Sequence, residues 1–169
     1  MGEVKRVKDL MIAINDYPHI PQWFTLRQAM AIVREAPIKF EAKFWPRSLL
    51  VFDENYRLMG ILTLLDIIRG LSPTALKEAC LTGMSLEGLF GPNLEEKSQQ
   101  PVHEVMSPIL VTIKSNAPLV QALYLMIQNN VVRLPVLDDD KVIGMIRLSD
   151  LFNEVAQMVL GEPILPREV

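Results

Sequence analysis

An α/β (α+β) fold assembled from two copies of a β-α-β-β-α unit is what this 169-residue sequence predicts. The first observation is repetition: "VKDLM" at residues 7–11 returns as "VHEVM" at 102–106, and "LLVFDENYRLMGILTLLDII" at 49–68 returns as "LPVLDDDKVIGMIRLSDLF" at 134–152. The second is that each copy shows the same order of patterns: a helical stripe, two short apolar runs around an acidic turn, then another helical stripe. The third is composition. Half of the residues are apolar and 22% are charged, enough for a sizeable core in one domain or two small ones.

In the first copy, Thr25 with Gln28 makes a capping box, Leu26, Ala29, Met30 and Val33 form the inward face of the helix that follows, and Pro37 ends it. Strands are expected at 49–52 and 58–62, then a helix from about Thr63. In the second copy, 109–113 is a β-branched run, and Ser115-Asn116 offers the N-cap of a helix with Leu119, Ala122, Leu123, Met126 and Ile127 on one face. Asn129-Asn130 ends that helix. Residues 132–137 and 142–146 form a hairpin through Asp138, Asp139 and Asp140, and Leu151, Val155 and Met158 give the last helix its apolar stripe. Between the copies lie helix-length pieces at 76–81 and 85–89, a break at Gly91-Pro92, and a polar tail at 95–100 that reads as a solvated linker.

The organisation is therefore a first repeat over 1–70, a helical insert over 71–101 and a second repeat over 102–162. A sheet of about three strands has a face that it must bury, so the two copies are expected to pack together as one compact module.

A formal charge of −3 argues against a nucleic-acid or anionic-membrane surface, both of which need clustered Lys and Arg. No apolar run reaches the roughly eighteen residues of a membrane span, and the amino-terminal residues are charged where a signal peptide is apolar, so a cytoplasmic protein is expected. Cys80 is the only cysteine and there are two histidines, which excludes an intramolecular disulfide and speaks against a metal site. No nucleophile, base and orienting group are suggested together, so no enzyme is expected. Residues 37–47, "PIKFEAKFWPR", interleave Lys and Arg with Phe and Trp as single-strand nucleic-acid platforms do. An extra helical turn covering a cleft, or a dimer contact, is the plainer reading of that segment.

Taken together and in order, these doubled segments resemble a pair of CBS domains (cystathionine β-synthase domains, together a Bateman module) over nearly the whole chain, from about residue 7 to 160. The resemblance implies two repeats packed sheet to sheet about a pseudo-twofold axis, leaving two clefts that bind adenosine compounds such as AMP, ADP, ATP or S-adenosylmethionine. It also implies a regulatory ligand sensor and a homodimer. With no further domain expected in these residues, the signal would reach an unknown partner in trans.

The family's ribose and phosphate motif is a Gly, two apolar residues, Ser or Thr, two variable residues, then Asp, and residues 60–66 fit it with Gly60, Thr63 and Asp66. The second copy keeps Gly144 and Asp150 but has Arg147 where the hydroxyl belongs. That arginine can add a charge-assisted bond to a phosphate or fill the cleft itself. For the adenine side, family analogy points to His19 and its counterpart Thr112, and to Ser48 and its counterpart Arg133.

The chemistry of the motif is that of a helix start. Unsatisfied N–H groups and a partial positive charge favour a hydroxyl at the cap and a carboxylate three residues on. The same N–H groups and the Thr63 hydroxyl can hold phosphate oxygens, while Asp66 can accept from both ribose hydroxyls. Thr63 with Asp66 is equally a variant capping box that needs no ligand. The alternative function is accordingly a ligand-free dimerisation and interaction module whose clefts are filled by its own side chains, Arg147 among them.

Overall fold

The computed structural model describes residues 4–35, 48–72 and 76–161; the segment 37–47, with the Pro37 helix stop, lies outside the described residues. In chain order the elements are α1 (Val7–Leu10), β1 (Ile12–Ala13), β2 (His19–Pro21), α2 (Leu26–Glu35), β3 (Ser48–Phe52), β4 (Leu58–Thr63), α3 (Leu64–Leu71), α4 (Leu76–Thr82), α5 (Leu86–Phe90), α6 (Leu94–Ser98), β5 (Ser107–Pro108), β6 (Ile113–Lys114), α7 (Leu119–Asn129), β7 (Arg133–Asp138), β8 (Lys141–Arg147) and α8 (Leu148–Leu160). The mixed α+β class and the repeated order are those the sequence predicts.

The chain folds as two compact units, Asp16–Ile109 and Met1–Asn15 with Leu110–Val169. In the first, the sheet order is β2-β3-β4-β5, with β2 parallel to β3 and the other pairs antiparallel. In the second the order is β1-β8-β7-β6, with β6 parallel to β7. The two copies keep the same register down to an irregularity: Val51 faces Gly60 and Val136 faces Gly144, and each pairing shifts at the next residue.

The repeats exchange their opening segments. Strand β5, which follows "VHEVM", pairs with β4 of the first repeat, and β1, which follows "VKDLM", pairs with β8 of the second. The compact units therefore do not follow the boundaries at residues 70 and 102. Local similarity between the openings cannot reveal this, because each repeat presents the same glycine to whichever opening arrives. A Cβ on Gly60 would fall 2.7 Å from both Met106 Sδ and the Ser107 carbonyl oxygen, and one on Gly144 would fall 2.5 Å from the Ile12 carbonyl oxygen and 2.8 Å from Met11 Sδ.

Each unit has its own core. Leu26, Ala29 and Val33 of α2 and Ile67 and Leu71 of α3 pack with Leu49, Val51 and Leu62 of the sheet. In the other unit Ala122 and Met126 of α7 and Leu151 of α8 pack with Leu134, Val136 and Ile146. The Thr25–Gln28 capping box forms as expected, with Gln28 N–H donating to Thr25 Oγ1 at 3.2 Å and Thr25 N–H to Gln28 Oε1 at 2.9 Å. Asn130 ends α7 in the left-handed region, at φ 52° and ψ 46°.

Elsewhere the structure differs from the pattern. Met30, Ile127, Val155 and Met158 are exposed, because each helix lies on one sheet face and buries a narrower arc than the apolar stripe. The strand expected at 109–113 contracts to β6. Helix α7 begins after Pro118, not at Ser115-Asn116, whose carbonyls are taken by Lys8 N–H at 2.9 Å and Arg6 Nη1 at 3.2 Å. The tail at 95–100 is largely helix α6, not a solvated linker: Ser98 is buried, the Gln100 carbonyl accepts from Leu26 N–H at 2.9 Å, and the Gln100 amide donates to the Gly70 carbonyl at 2.8 Å.

Candidate functional site

Strand β4 delivers Thr63 to the start of α3 in an extended conformation, φ −92° and ψ 165°, from which its hydroxyl accepts from Asp66 N–H at 3.1 Å. Asp66 replies by accepting from Thr63 N–H at 2.9 Å. Its carboxylate, in a residue only 5% exposed, also accepts from the Ser107 hydroxyl at 2.9 and 3.1 Å, one distance to each oxygen. Asp66 is thus a buried acceptor held at a helix N-terminus by one backbone and one side-chain donor. The space beside Gly60 receives Met106 and the Ser107 backbone of the chain itself.

The equivalent position in the second repeat is chemically different. Arg147 caps α8 in the same extended conformation, φ −114° and ψ 152°, but a guanidinium has no acceptor to offer the helix. Only half of the box remains, Arg147 N–H donating to Asp150 at 3.1 Å. The side chain instead folds onto Asp150, with Nε 3.1 Å from Oδ2 and Nη2 2.8 Å from Oδ1, a bidentate pair whose side chains are about one-sixth exposed.

The adenine-side candidates occupy matching places. Ser48 is the cross-strand partner of Thr63, and Arg133 that of Arg147. Ser48 is fully buried and hydrogen-bonded to the Tyr17 hydroxyl. Arg133 and Thr112 are half-buried. His19 Nδ1 lies 2.9 Å from the Tyr17 carbonyl, which can only accept, so the Nδ1 carries a proton. Its Nε2 lies 2.9 Å from the Tyr56 hydroxyl, and its ring stands edge-on to Phe52 and Tyr56, which stack at 4.6 Å. The site thus gathers Ser48, Gly60 and Thr63 along one pair of strands with Asp66 in the first turn of the helix that follows, and holds His19 in an aromatic cluster with its hydrogen-bonding atoms engaged.

Sequence reasoning missed Ser107 and Tyr17. Ser107 follows Met106 where the first copy has Ile12 after Met11, so comparison of the repeats discards it as unshared. Its role comes from the exchange of opening segments.

A family model described as CBS domain matches residues 7–73 and 102–157. The chain belongs to the CBS domain family. Among its relatives, the CBS domain-containing protein YhcV of Bacillus subtilis is 43% identical over 67 residues, a stretch covering 39% of this chain and 48% of that protein, so the chain spans about half the length of that curated relative. A crystal structure of CBSX2 in complex with AMP superposes with a TM-score of 0.62 at 21% identity, covering 91% of this chain and 98% of that one. The cytosolic domain of the Mg2+ channel MgtE in complex with ATP gives 0.62 at 20% identity, covering 89% and 48%. At these identities the two structures establish the CBS-pair fold. Among the described residues no helix is long and apolar enough to cross a membrane.

Proposed function

We propose that this CBS pair is a cytoplasmic regulatory module, not a catalyst, that binds an adenosine-containing ligand through the first repeat and relays its occupancy to a partner protein in trans. The observation that carries the reading is the buried Asp66 carboxylate at the start of α3, held by a side-chain hydroxyl that a ligand can replace like for like. A ribose hydroxyl is the same donor as Ser107 Oγ–H. Thr63 and the free first-turn N–H groups of α3 then suit phosphate oxygens. Binding of AMP by CBSX2 and of ATP by the MgtE domain supports an adenine nucleotide as the ligand class. His19 and Ser48 would lie toward the base. In the second repeat, Gly144, Arg147 and Asp150, with Thr112 and Arg133, would form the counterpart.

A second reading, an assembly module with a self-filled position, is favoured there by the Arg147–Asp150 ion pair. Thermal unfolding against AMP, ADP, ATP, S-adenosylmethionine and GTP separates the two. A ligand at a hundred times its Kd stabilises the fold by about 2.7 kcal/mol. An adenine-selective shift, lost in Asp66→Asn, is expected; no shift with any ligand would leave the assembly reading.

A further inference from the structure

Given the nucleotide site proposed above, on which this rests, we infer that Ser107 is an internal stand-in for the ligand. Its hydroxyl holds Asp66 until a ribose takes the carboxylate, and its release loosens the strand by which the chain leaves the first unit. Asp66 is a buried carboxylate without a cation: among the described residues its donors are Thr63 N–H at 2.9 Å and the Ser107 hydroxyl at 2.9 and 3.1 Å. At 5% exposure, a ligand reaches it only where one of these donors withdraws. Thr63 N–H belongs to the helix start itself and stays. Ser107 comes from a strand 41 residues further along the chain and can leave.

The second repeat serves as an internal control, because the fold there does without this hydroxyl. Strand β1 stands to β8 as β5 stands to β4: Ile12 faces Met145, one residue past Gly144, just as Ser107 faces Ile61, one residue past Gly60. Ile12 is buried, so β1 is anchored by apolar contact that a nucleotide does not compete for. Asp150 takes its side-chain donor from Arg147, at its own helix start. Each repeat therefore supplies its carboxylate from within the chain, but only in the first does the donor come from the neighbouring strand. Occupancy of the first position acts on a strand; occupancy of the second does not.

Little else holds β5. It is two residues long, at the edge of its sheet, and exposed Pro108 has no N–H to give the ladder. Upstream the chain is firmly seated, with Val102 fully buried and Val105 and Met106 packed on the same core. Downstream, Ile109 ends the first unit and Leu110, 76% exposed, begins the second. The Ser107–Asp66 bond is thus the side-chain tie at the point where the chain departs, and a charge-assisted bond is about twice as strong as a neutral one. A ligand shifts a conformational equilibrium by its differential affinity for the two states. A ribose on Asp66 has that differential: it binds the form with Ser107 withdrawn and competes with the form in which Ser107 is docked. The docked form accordingly lowers the apparent affinity of the free protein.

Isothermal titration of AMP and ATP into the full chain, with hydrogen exchange read by mass spectrometry over residues 107–112, tests this. In the wild type, nucleotide should speed exchange in that segment, against the usual slowing on binding, and leave residues 12–13 of β1 unchanged. Ser107→Ala should exchange fast there without nucleotide, change no further on binding, and bind roughly tenfold tighter, the equivalent of about 1.4 kcal/mol. The affinity that is lost in Asp66→Asn identifies the first repeat's site. Ser107→Thr, which keeps the hydroxyl, should behave as the wild type, and the wild-type exchange measurement decides the matter even if the alanine variant folds poorly. Weaker or unchanged binding by Ser107→Ala overturns the inference, as does nucleotide that binds the wild type and leaves exchange over 107–112 unchanged or slower; in both cases the nucleotide site itself stands. Binding to neither the wild type nor Ser107→Ala removes the nucleotide site, and the inference with it.

Discussion

Replacing Asp66 by alanine should destabilise the first repeat even with no ligand present. The substitution removes the acceptor for Thr63 N–H at 2.9 Å, half of the box that starts α3, and a cap contributes about 1 kcal/mol. It also strands the Ser107 hydroxyl, which donates to both carboxylate oxygens, and a hydrogen bond to a charged group contributes roughly 1.5–3 kcal/mol. Since the residue is only 5% exposed, water cannot fully replace either bond. Allowing for overlap, the loss is about 2–3 kcal/mol, or a melting temperature lower by roughly 5–10 °C in a chain of this length. Asp66→Asn should cost about half as much, because the amide oxygen still accepts from Thr63 N–H and the amide nitrogen can donate to Ser107 Oγ. Differential scanning calorimetry of both variants without nucleotide is the assay. Equal melting temperatures for wild type and Asp66→Ala would refute the reasoning, since the carboxylate would then hold nothing in the free protein. The same result governs how binding data are read: Asp66→Asn is the cleaner probe of the ligand, and Asp66→Ala confounds affinity with folding.

Gly144→Ala should lower stability by about 2 kcal/mol or more, because its Cβ would fall 2.5 Å from the Ile12 carbonyl oxygen, a backbone atom that cannot rotate away; chemical denaturation checks it. Tyr17→Phe leaves the fully buried Ser48 hydroxyl without this partner and should cost about 1–3 kcal/mol by the same measurement. Lys5→Ala breaks an ion pair to Glu154 at 2.8 Å, but the lysine is 57% exposed, so the effect should stay within about 1 kcal/mol and the difference in melting temperature from wild type should shrink with added salt, which screens the pair.

What was legible in the sequence is what repeats. The short apolar runs of β3, β4, β7 and β8, the Thr25–Gln28 box and the Asn130 stop depend on neighbours a few residues away, and short-range chemistry dictates them. The positions of Thr63 and Asp66 at a helix start were legible for the same reason. Three features were not, and each depends on a long-range partner. The exchange of β1 and β5 joins segments of nearly equal sequence, so pattern could not choose between pairings. Ser107 becomes the partner of Asp66 only through that exchange, 41 residues away. The polar tail at 95–100 looked solvated because Glu95, Lys97 and Gln100 are polar, yet each finds its partner on α2 or α3: Arg27, the Ser72 carbonyl at the end of α3, and the Gly70 carbonyl. Stripe width misled in the opposite direction. Ile127 and Val155 extend the apolar periodicity beyond the arc that one sheet can bury, and the surplus marks a surface, not core.

The two repeats make one further experiment possible, in which the chain again supplies its own reference. Arg147→Thr would give the second repeat the hydroxyl that the first has at Thr63, on a backbone already in the same extended conformation. The change removes a bidentate ion pair about one-sixth exposed, but it restores an acceptor for Asp150 N–H, a cap contributing about 1 kcal/mol. It also ends the facing of Arg147 with Arg133, its cross-strand partner, a like-charge juxtaposition that costs stability. These terms offset, so the melting temperature should move by no more than about 4 °C, the equivalent of roughly 1 kcal/mol in a chain of this size. The ligand response should move much more. If Arg147 closes the second position by occupying Asp150, isothermal titration should find one additional nucleotide bound per chain in the variant. An unchanged stoichiometry with weaker binding would instead make Arg147 a phosphate contact in the native protein, and would sink the self-filled reading of that repeat.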